Sequence, residues 1–531
     1  MIDNWLVFKS PRFFRRWSLI VALALVLANG APTAKRANES LIEQSGVVAH
    51  SALAQSSKSI GAPAPIKLLQ VEPVKGYVGD FFTVAGEGLP AGKKVEFFWS
   101  TVDAEYTTKV SIDNVEYHER KYEEKRLVFG SALVDAQGRV SAKFTAPEDF
   151  GEVHDLYAVI DGRDAARGGF RILRSAAITP AQGPVGTPIT VTVKGMGWRG
   201  FEQFMALRYD NRYTGEISAV TTKGTAVFQI RAAGAPGKHI IQLNNSTAYA
   251  PGAYLNTQQS PQAYIYSHLD NQQEFRFAFA LTKGAGPPPD TLQWPDAGRV
   301  AQLKIDAPRT TVSLKPSEVV VLTPPIGKIH SQTTLRGTGL PANTEVILSF
   351  VTARGNRMTP SGWNLETLPL STATTKSDGS LHTTIKIPDD LGGWHAVKVA
   401  SRERVLMEVP YYVEQSLVKV LPKRMKVGET FTVQIKGVGW TELDNTLAVT
   451  YDNAAIGYAC GFNSNGDVTI NLVASGPPGT HLIDLYPAIY KGRDKVPWNY
   501  QTPFLTYARD FPALAHGYRL PAYRLAIEVI P

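Results

Sequence analysis

One internal repeat constrains the fold of this 531-residue chain more than any other feature. Residues 180–243 return as residues 422–485 at a constant offset of 242 without a gap, and 22 of the 64 aligned positions are identical. The identical positions include Gly195-Met-Gly197-Trp198 with Gly437-Val-Gly439-Trp440, Tyr209-Asp210-Asn211 with Tyr451-Asp452-Asn453, and the histidines His239 and His481. We infer that the chain arose by duplication of a folding unit.

The same signals recur at domain-sized intervals outside this pair. Gly-x-Gly occurs at residues 86–88, 195–197, 337–339 and 437–439. Four of the ten histidines lie two or three residues after a Gly near the last strands of a predicted module: His154, His239, His395 and His481. The segment that begins at Gly86 matches the one that begins at Gly337, at an offset of 251. Further along, Gly138 and Pro147 match Gly379 and Pro388 at an offset of 241. About ten extra residues are therefore predicted in the first copy, in the charged segment 113–126.

The composition favours short strands joined by turns. Apolar residues make up 44% of the chain, and 45 Gly and 35 Pro indicate many turns. We predict an all-β chain of four modules in an A-B-A-B order. The predicted segments are a signal peptide or N-terminal anchor (1–34), a flexible tether (35–64), module A1 (65–174), module B1 (175–283), a Pro-rich semi-rigid linker (284–315), module A2 (316–413) and module B2 (414–531).

The module pattern resembles a known family. The signals come in one order: a Pro followed by Gly and a Thr/Val-rich strand, then Gly-x-Gly, a hairpin with Asp/Asn-Gly, and finally Gly-x-His. This order is similar to that of bacterial immunoglobulin-like modules, nearest to the IPT/TIG type. The resemblance implies immunoglobulin-like β-sandwiches in a repeat protein of the cell envelope. It implies no activity, because this fold serves spacers, binders and enzyme accessories alike. Module A2 departs from the pattern at Ile329-His330-Ser331, where the other modules have Val-Gly.

The N-terminus has the features of an export signal. Arg15 and Arg16 precede an apolar run, Trp17 to Ala28, followed by small residues. Twelve residues are few for a membrane span, although an uncleaved anchor is an alternative. The mature protein is expected in the periplasm, on the cell surface or in the medium.

Charge and cysteine content narrow the partners. The net charge is +8, of which residues 1–34 supply +3, and no run of Lys and Arg remains to suggest nucleic-acid binding. Cys460 is the single cysteine, so an internal disulfide is excluded. We expect its thiol to be buried and inert.

The repeated motifs have structural interpretations that we favour over functional ones. The Gly-x-Gly glycines fit positive φ or close backbone approach, and Trp198 and Trp440 fit the cap of a core, with sugar stacking as the alternative. Tyr-Asp-Asn fits a hairpin turn, and the four histidines fit hydrogen bonds at strand starts rather than a metal site. Acidic pairs such as Glu148-Asp149 and Asp389-Asp390 fit solvated loops.

Both B modules are predicted to end in aromatic, Pro-rich tails of some 40 residues. Such side chains suit glycan stacking or a protein interface, although they could instead add strands or pack between modules. With the two Trp above, the candidate binding residues are Trp198, Trp440, Trp498, Tyr500, Tyr507, Tyr264 and Tyr266.

No catalytic constellation, cofactor motif or metal motif is present in the sequence. We therefore expect an exported, non-enzymatic structural or binding protein, with an envelope polysaccharide or another surface protein as partner. Membrane contact is expected only through an uncleaved N-terminal anchor. The alternative is a carbohydrate-active enzyme or its accessory subunit, for which the tails offer Asp270, Glu274, Asp494 and Asp510.

Overall fold

Most of the described chain forms β-strands, in which apolar and polar residues alternate. The computed structural model describes residues 66–110, 115–198, 202–245, 275–284, 286–293, 319–355, 363–402, 404–441, 444–461, 464–488, 503–510 and 520–531. All of them lie in one compact unit, Ala62–Pro531. In strands such as Pro188–Lys194 every second side chain is buried, as expected for a strand with one face on a core. The all-β prediction is confirmed.

The first two sandwiches contain strands β1 to β17. The first consists of β1 (Lys67–Leu68), β2 (Gln70–Glu72), β3 (Lys75–Gly76), β4 (Phe81–Gly86), β5 (Lys94–Val110), β6 (Val115–Leu133), β7 (Val140–Thr145), β8 (Glu152–Ile160) and β9 (Arg163–Ile172). The second consists of β10 (Ser175–Thr179), β11 (Gln182–Gly183), β12 (Pro188–Lys194), β13 (Phe204–Tyr209), β14 (Arg212–Ser218), β15 (Ala226–Arg231), β16 (Gly237–Asn245) and β17 (Phe275–Leu281).

A short strand, β18 (Thr291–Gln293), precedes the last two sandwiches. The third consists of β19 (Val319–Thr323), β20 (Ile326–Lys328), β21 (Gln332–Thr338), β22 (Glu345–Gly355), β23 (Trp363–Thr374), β24 (Leu381–Lys386), β25 (Gly393–Ser401) and β26 (Arg404–Glu414). The fourth consists of β27 (Ser416–Leu421), β28 (Arg424–Lys426), β29 (Thr430–Lys436), β30 (Thr446–Tyr451), β31 (Ala454–Cys460), β32 (Val468–Val473), β33 (Gly479–Ala488) and β34 (Ala522–Ile530).

Each sandwich pairs a three-stranded sheet with a larger one. In the second sandwich the orders are β10-β12-β15 and β11-β17-β16-β13-β14, and the third repeats this order. The first adds β1 to its larger sheet, and the fourth adds β18. The first two strands of the second sandwich are divided between its sheets, because β10 joins the three-stranded sheet and β11 joins the larger one. This arrangement is that of immunoglobulin-like sandwiches.

Four apolar cores lie between the paired sheets. The first contains Trp99 and Phe170, the second Ile217 and Phe279, the third Phe350, and the fourth Phe431 among their fully buried side chains. The second core also includes Tyr486 and Leu505, which belong to the fourth sandwich and its last inserted segment. The second and fourth sandwiches are thus packed against each other.

The extra residues of the first sandwich lengthen one hairpin. Strands β5 and β6 have 17 and 19 residues, compared with 11 and 12 for the corresponding β22 and β23. The predicted insertion at residues 113–126 is therefore confirmed as an extension of this hairpin.

The aromatic segments are insertions and not tails. They separate the last two strands of the second and fourth sandwiches, at residues 246–274 and 489–521, whereas two residues join the last two strands of the first and third. Strands β17 and β34, which follow the insertions, complete the larger sheets. Of the second insertion, residues 503–510 and 520–521 are described, including the short helix α1 (Tyr507–Asp510). The described part of the chain contains no helix long and apolar enough to cross a membrane.

The described residues of the predicted linker are docked against the fourth sandwich. Strand β18 pairs with β34, with Leu292 opposite Tyr523. Asp290 accepts a hydrogen bond from the backbone N–H of Ala526 at 3.2 Å, and its carboxylate pairs with Lys423 at 2.5 Å. Residues 291–293 of the linker therefore extend the larger sheet of the fourth sandwich.

The departure in the third sandwich leaves the fold of its first turn unchanged. Gly79, Gly186 and Gly428 have φ near +90° in the other sandwiches, and His330 takes φ 63° at the same place. The His330 N–H donates to Ile387 O at 3.0 Å, just as Gly428 donates to Ala474 O at 2.9 Å. An L-residue thus occupies a left-handed conformation that glycine adopts without a steric penalty.

We expect His330→Gly to raise the free energy of unfolding by about 0.5–1 kcal/mol, because the steric cost removed exceeds the added entropy of the unfolded chain. The reverse change at the matching turn, Gly428→His, should lower it by a similar amount. Urea denaturation of both variants measures this. A destabilised His330→Gly protein would mean that the His330 side chain contributes more than its turn costs.

Candidate functional site

Backbone contact joins the third sandwich to the fourth. Gly392 donates its N–H to Val438 O at 3.1 Å and forms an isolated β-bridge with Gly439. A Cβ on Gly392 would overlap the carbonyl oxygen of Gly437, so only glycine fits there. Gly437 itself has φ 70°. The Gly-x-Gly motif of the fourth sandwich therefore receives the glycine loop of the third, as the prediction of close backbone approach requires.

The first and second sandwiches are joined in the same way. The N–H of Gly151 donates to Met196 O at 2.9 Å, and a Cβ on Gly151 would overlap the carbonyl oxygen of Gly195. Arg174, fully buried at this joint, donates to Glu202 O at 2.8 Å. Because residues 151 and 392 occupy matching positions, the joint is part of the repeated design.

The two repeated tryptophans lie at these joints. Trp440 is 2% exposed and clusters with Ala353 and Leu391 of the third sandwich. Trp198 is half-buried and lies 5.1 Å from Tyr122, centroid to centroid, on the long hairpin of the first sandwich. Sugar stacking on Trp440 is thus ruled out in this structure, because its ring is covered by the neighbouring sandwich.

We expect Gly392→Ala to destabilise the protein by about 1–3 kcal/mol, because the new methyl group must push the third and fourth sandwiches apart. The control is Gly169→Ala in β9, where a Cβ meets only ordinary van der Waals contacts and the expected change is within about 0.5 kcal/mol. Thermal unfolding of both variants tests the joint. Equal effects at the two sites would contradict it.

The four module histidines occupy one structural place. In each, Nε2 lies 2.7–2.9 Å from the carbonyl oxygen of the residue four positions earlier. In His154 and His395 the Nδ1 atom faces a carbonyl oxygen of the neighbouring strand, and burial lowers the pKa of His395. The prediction of hydrogen bonding at strand starts is confirmed. Among the described residues no group of three His, Cys, Asp or Glu side chains could hold a metal ion.

In the second and fourth sandwiches, the histidine is instead paired with an aspartate of the repeated hairpin turn. Asp210 and Asn211 both have positive φ and close the two-residue hairpin between β13 and β14, as predicted for this turn. The Asp210 carboxylate accepts the backbone N–H of Ile240 at 2.8 Å and contacts His239 Nδ1 at 2.5 Å. Asp452 makes the same contacts with Leu482 and His481.

The environment of His481 favours the protonated imidazole. Burial lowers its pKa, but the hydrogen bond and the charge of Asp452 outweigh burial, so the pKa of His481 ends above its ordinary value. Both ring nitrogens face oxygen acceptors, which an imidazolium satisfies with its two N–H groups.

A raised folded-state pKa predicts stability that is present below the unfolded value of about 6.5 and is lost as pH rises through the folded value. We therefore expect the melting temperature to fall as the pH rises above about 6.5. His481→Gln should remove part of this fall, because glutamine does not titrate. Melting curves of both proteins between pH 5 and 9 (about the range in which histidine titrates) measure the difference. Identical pH profiles would show that His481 does not contribute.

A buried network of charges connects the second and fourth sandwiches. Arg231, from β15, contacts Asp484 of β33 and donates to Leu525 O at 2.7 Å. Arg524, from β34, contacts the other Asp484 oxygen at 2.8 Å and donates to Gln229 O of β15 at 2.9 Å. The three charged side chains are at most 6% exposed. One carboxylate thus bridges two guanidinium groups from different sandwiches.

Residues 503–510 of the second insertion form a strap across the second sandwich. The N–H of Glu216 donates to Pro503 O at 2.9 Å, and Leu505 N–H donates back to Glu216 O at 2.9 Å. Asp510, at the end of the strap, is fully buried; it contacts Ser218 and accepts the N–H of Thr221 at 2.6 Å. Burial raises the pKa of Asp510, and these hydrogen bonds offset part of the rise.

A cleft of about 900 Å³ opens between the second and fourth sandwiches. Matching loops of the two repeats, residues 233–236 and 475–480, form its sides, and the two His-Asp pairs lie in its wall. The linker residues Gly286 and Pro288 border it as well. The volume is within the range of sites for small ligands.

Several predicted site residues have a different environment from the one expected. Tyr507 is 2% exposed, and burial raises its pKa well above the ordinary value. It is therefore buried and not an exposed binding residue. Trp498, Tyr500, Tyr264 and Tyr266 lie outside the described residues, as do Asp270, Glu274 and Asp494. Cys460 is exposed at the end of β31, so the expectation of a buried thiol was wrong.

The acidic pairs after proline were also misassigned. Asp149 is 2% exposed and accepts the indole N–H of Trp99 at 2.9 Å and the hydroxyl of Thr101 at 2.8 Å. Asp390 is 1% exposed and forms a bidentate pair with Arg354 at 2.8 and 2.9 Å. In each pair one carboxylate therefore lies inside the sandwich, where hydrogen bonds compensate its burial.

The charge network was not predicted, although the sequence contains a signal for it. Arg231 and Asp484 correspond to Val473 and Gln242 at the offset of 242. A charged residue that replaces an apolar or neutral residue of the other copy within a strand indicates that the two copies contact different neighbours at that position.

Comparisons with known proteins identify no family. No protein-family model matches the chain, and no curated protein matches it. Similar solved structures include invasin, a bacterial integrin-binding protein (12% identity, 86% of this chain, 78% of that chain, TM-score 0.19). They also include the ICAM-5 D1–D4 ectodomain fragment (11% identity, 87% and 99%, TM-score 0.16).

Salmonella alpha-2-macroglobulin reacted with methylamine is a further match (10% identity, TM-score 0.17), and the match covers 86% of this chain and only 30% of that structure. Scores this low assign no function to this chain.

Proposed function

We propose that this chain is an exported, non-enzymatic binding protein of the cell envelope or extracellular space, built from four immunoglobulin-like modules of the IPT/TIG type in an A-B-A-B duplication. Its partner is an envelope polysaccharide or another surface protein. The observation that carries the proposal is the cleft between the second and fourth sandwiches, whose sides are matching loops of the two repeats.

The joints support a binding role for this cleft. Glycine contacts connect the sandwiches within each half, and buried charges connect the halves. A cleft whose sides are held by buried contacts changes little on binding, so less conformational entropy is lost when a ligand binds. The Asp510 carboxylate, one of the four considered for an enzyme, is committed to Ser218 and Thr221, which gives the enzymatic alternative no support.

Export is the part of this proposal that is easiest to test. We expect the full chain, produced in a bacterium, to appear outside the cytoplasm, because Arg15-Arg16 and the following apolar run are suited to translocation. Fractionation and mass spectrometry of the N-terminus are the measurements, and a chain that begins at residue 35 is the control. The control should remain in the cytoplasm. Intact Met1 in a soluble cytoplasmic protein would contradict the proposal.

A further inference from the structure

The acids of the cleft between the second and fourth sandwiches are already paired. The Asp210 oxygens accept from Ile240 N–H and contact His239, and the Asp452 oxygens do the same with Leu482 and His481. Each imidazole also has its Nε2 against a backbone carbonyl oxygen. Both oxygens of each carboxylate are therefore already engaged by groups of the protein.

Two basic side chains of the cleft have no such partner. Arg212 and Lys283 line the cleft and are exposed. Within the described part of the chain neither forms an ion pair, in contrast to Arg231 and Arg524 nearby. Arg212 and Lys283 are therefore the charged groups of the lining that remain available to a negatively charged ligand.

The remaining lining suits a compact ligand with many hydroxyl groups. Thr282, Ser475 and Thr480 contribute side-chain hydroxyls, and the rings of Pro236 and Pro478 contribute apolar walls. Turns and loops dominate the lining, so the cleft offers little free strand edge to which an extended peptide could add. Precisely placed polar groups among apolar walls are typical of small-ligand sites.

We propose that this cleft binds an acidic oligosaccharide, with Arg212 and Lys283 contacting its carboxylate groups. The inference rests on the proposed binding function and specifies its site and ligand class. Arg212 can donate two parallel hydrogen bonds to a carboxylate, and Lys283 adds a second positive charge.

Isothermal titration of the full mature chain with tetragalacturonate, and with maltotetraose as a neutral saccharide of equal length, tests the inference. We expect the acidic saccharide to bind at least about tenfold more tightly, because each charge-assisted contact adds about 1.5 kcal/mol or more. Arg212→Ala/Lys283→Ala should weaken its binding by about tenfold or more while leaving the melting temperature unchanged, since both side chains are exposed.

Arg336→Ala/Lys386→Ala is the matched control, with the same change of charge at exposed positions on β21 and β24 of the third sandwich. It should bind like the native protein. Equal affinity for the two saccharides, native affinity in the cleft variant, or binding of inorganic phosphate or polyglutamate in place of the saccharide would each overturn the assignment. If the protein is exported and adheres to isolated envelopes but none of the saccharide binds, only the cleft assignment fails.

Discussion

The bridge from Asp484 to two buried arginines is the constraint on which the arrangement of the second and fourth sandwiches depends. Removing one carboxylate and two guanidinium groups from water is costly, and their attraction compensates only when geometry is good and the remaining hydrogen-bond positions are filled. Here Leu525 O and Gln229 O accept from the arginines, and Tyr486 contributes its hydroxyl to Arg524 at 2.6 Å. A shifted docking would leave these charges buried without partners, so the network selects one arrangement.

The two kinds of joint act together. Glycine contacts at residues 151 and 392 fix each pair of consecutive sandwiches, and the charge network, the strap and β18 fix the two pairs to each other. The cleft is a product of that docking, because its sides come from different sandwiches and its border includes the linker. A ligand that contacted both sides of the cleft would therefore stabilise the docked state.

Features set by local patterns could be predicted from the sequence. The alternation of apolar and polar residues and the turn residues predicted the strands, and the gapless repeat predicted which positions are equivalent. The Asp210-Asn211 turn and the histidine hydrogen bonds follow from short-range chemistry. Packing between distant segments could not be predicted in this way. The burial of Trp440, Tyr507 and Asp510, like the docking of β18, depends on partners up to hundreds of residues away, and no local pattern identifies them. Asp149 and Asp390 were misassigned because a carboxylate after proline usually faces solvent.

The most direct test of the docked arrangement is a double-mutant cycle across the charge network. It compares the urea unfolding free energies of the native chain, Arg231→Met, Asp484→Asn and the double variant. Since the two side chains belong to one buried network and come from different sandwiches, we expect a coupling energy of about 1.5 kcal/mol or more. Effects that add to within about 0.5 kcal/mol would show that the two residues act independently and would contradict the docking of the second and fourth sandwiches through Asp484.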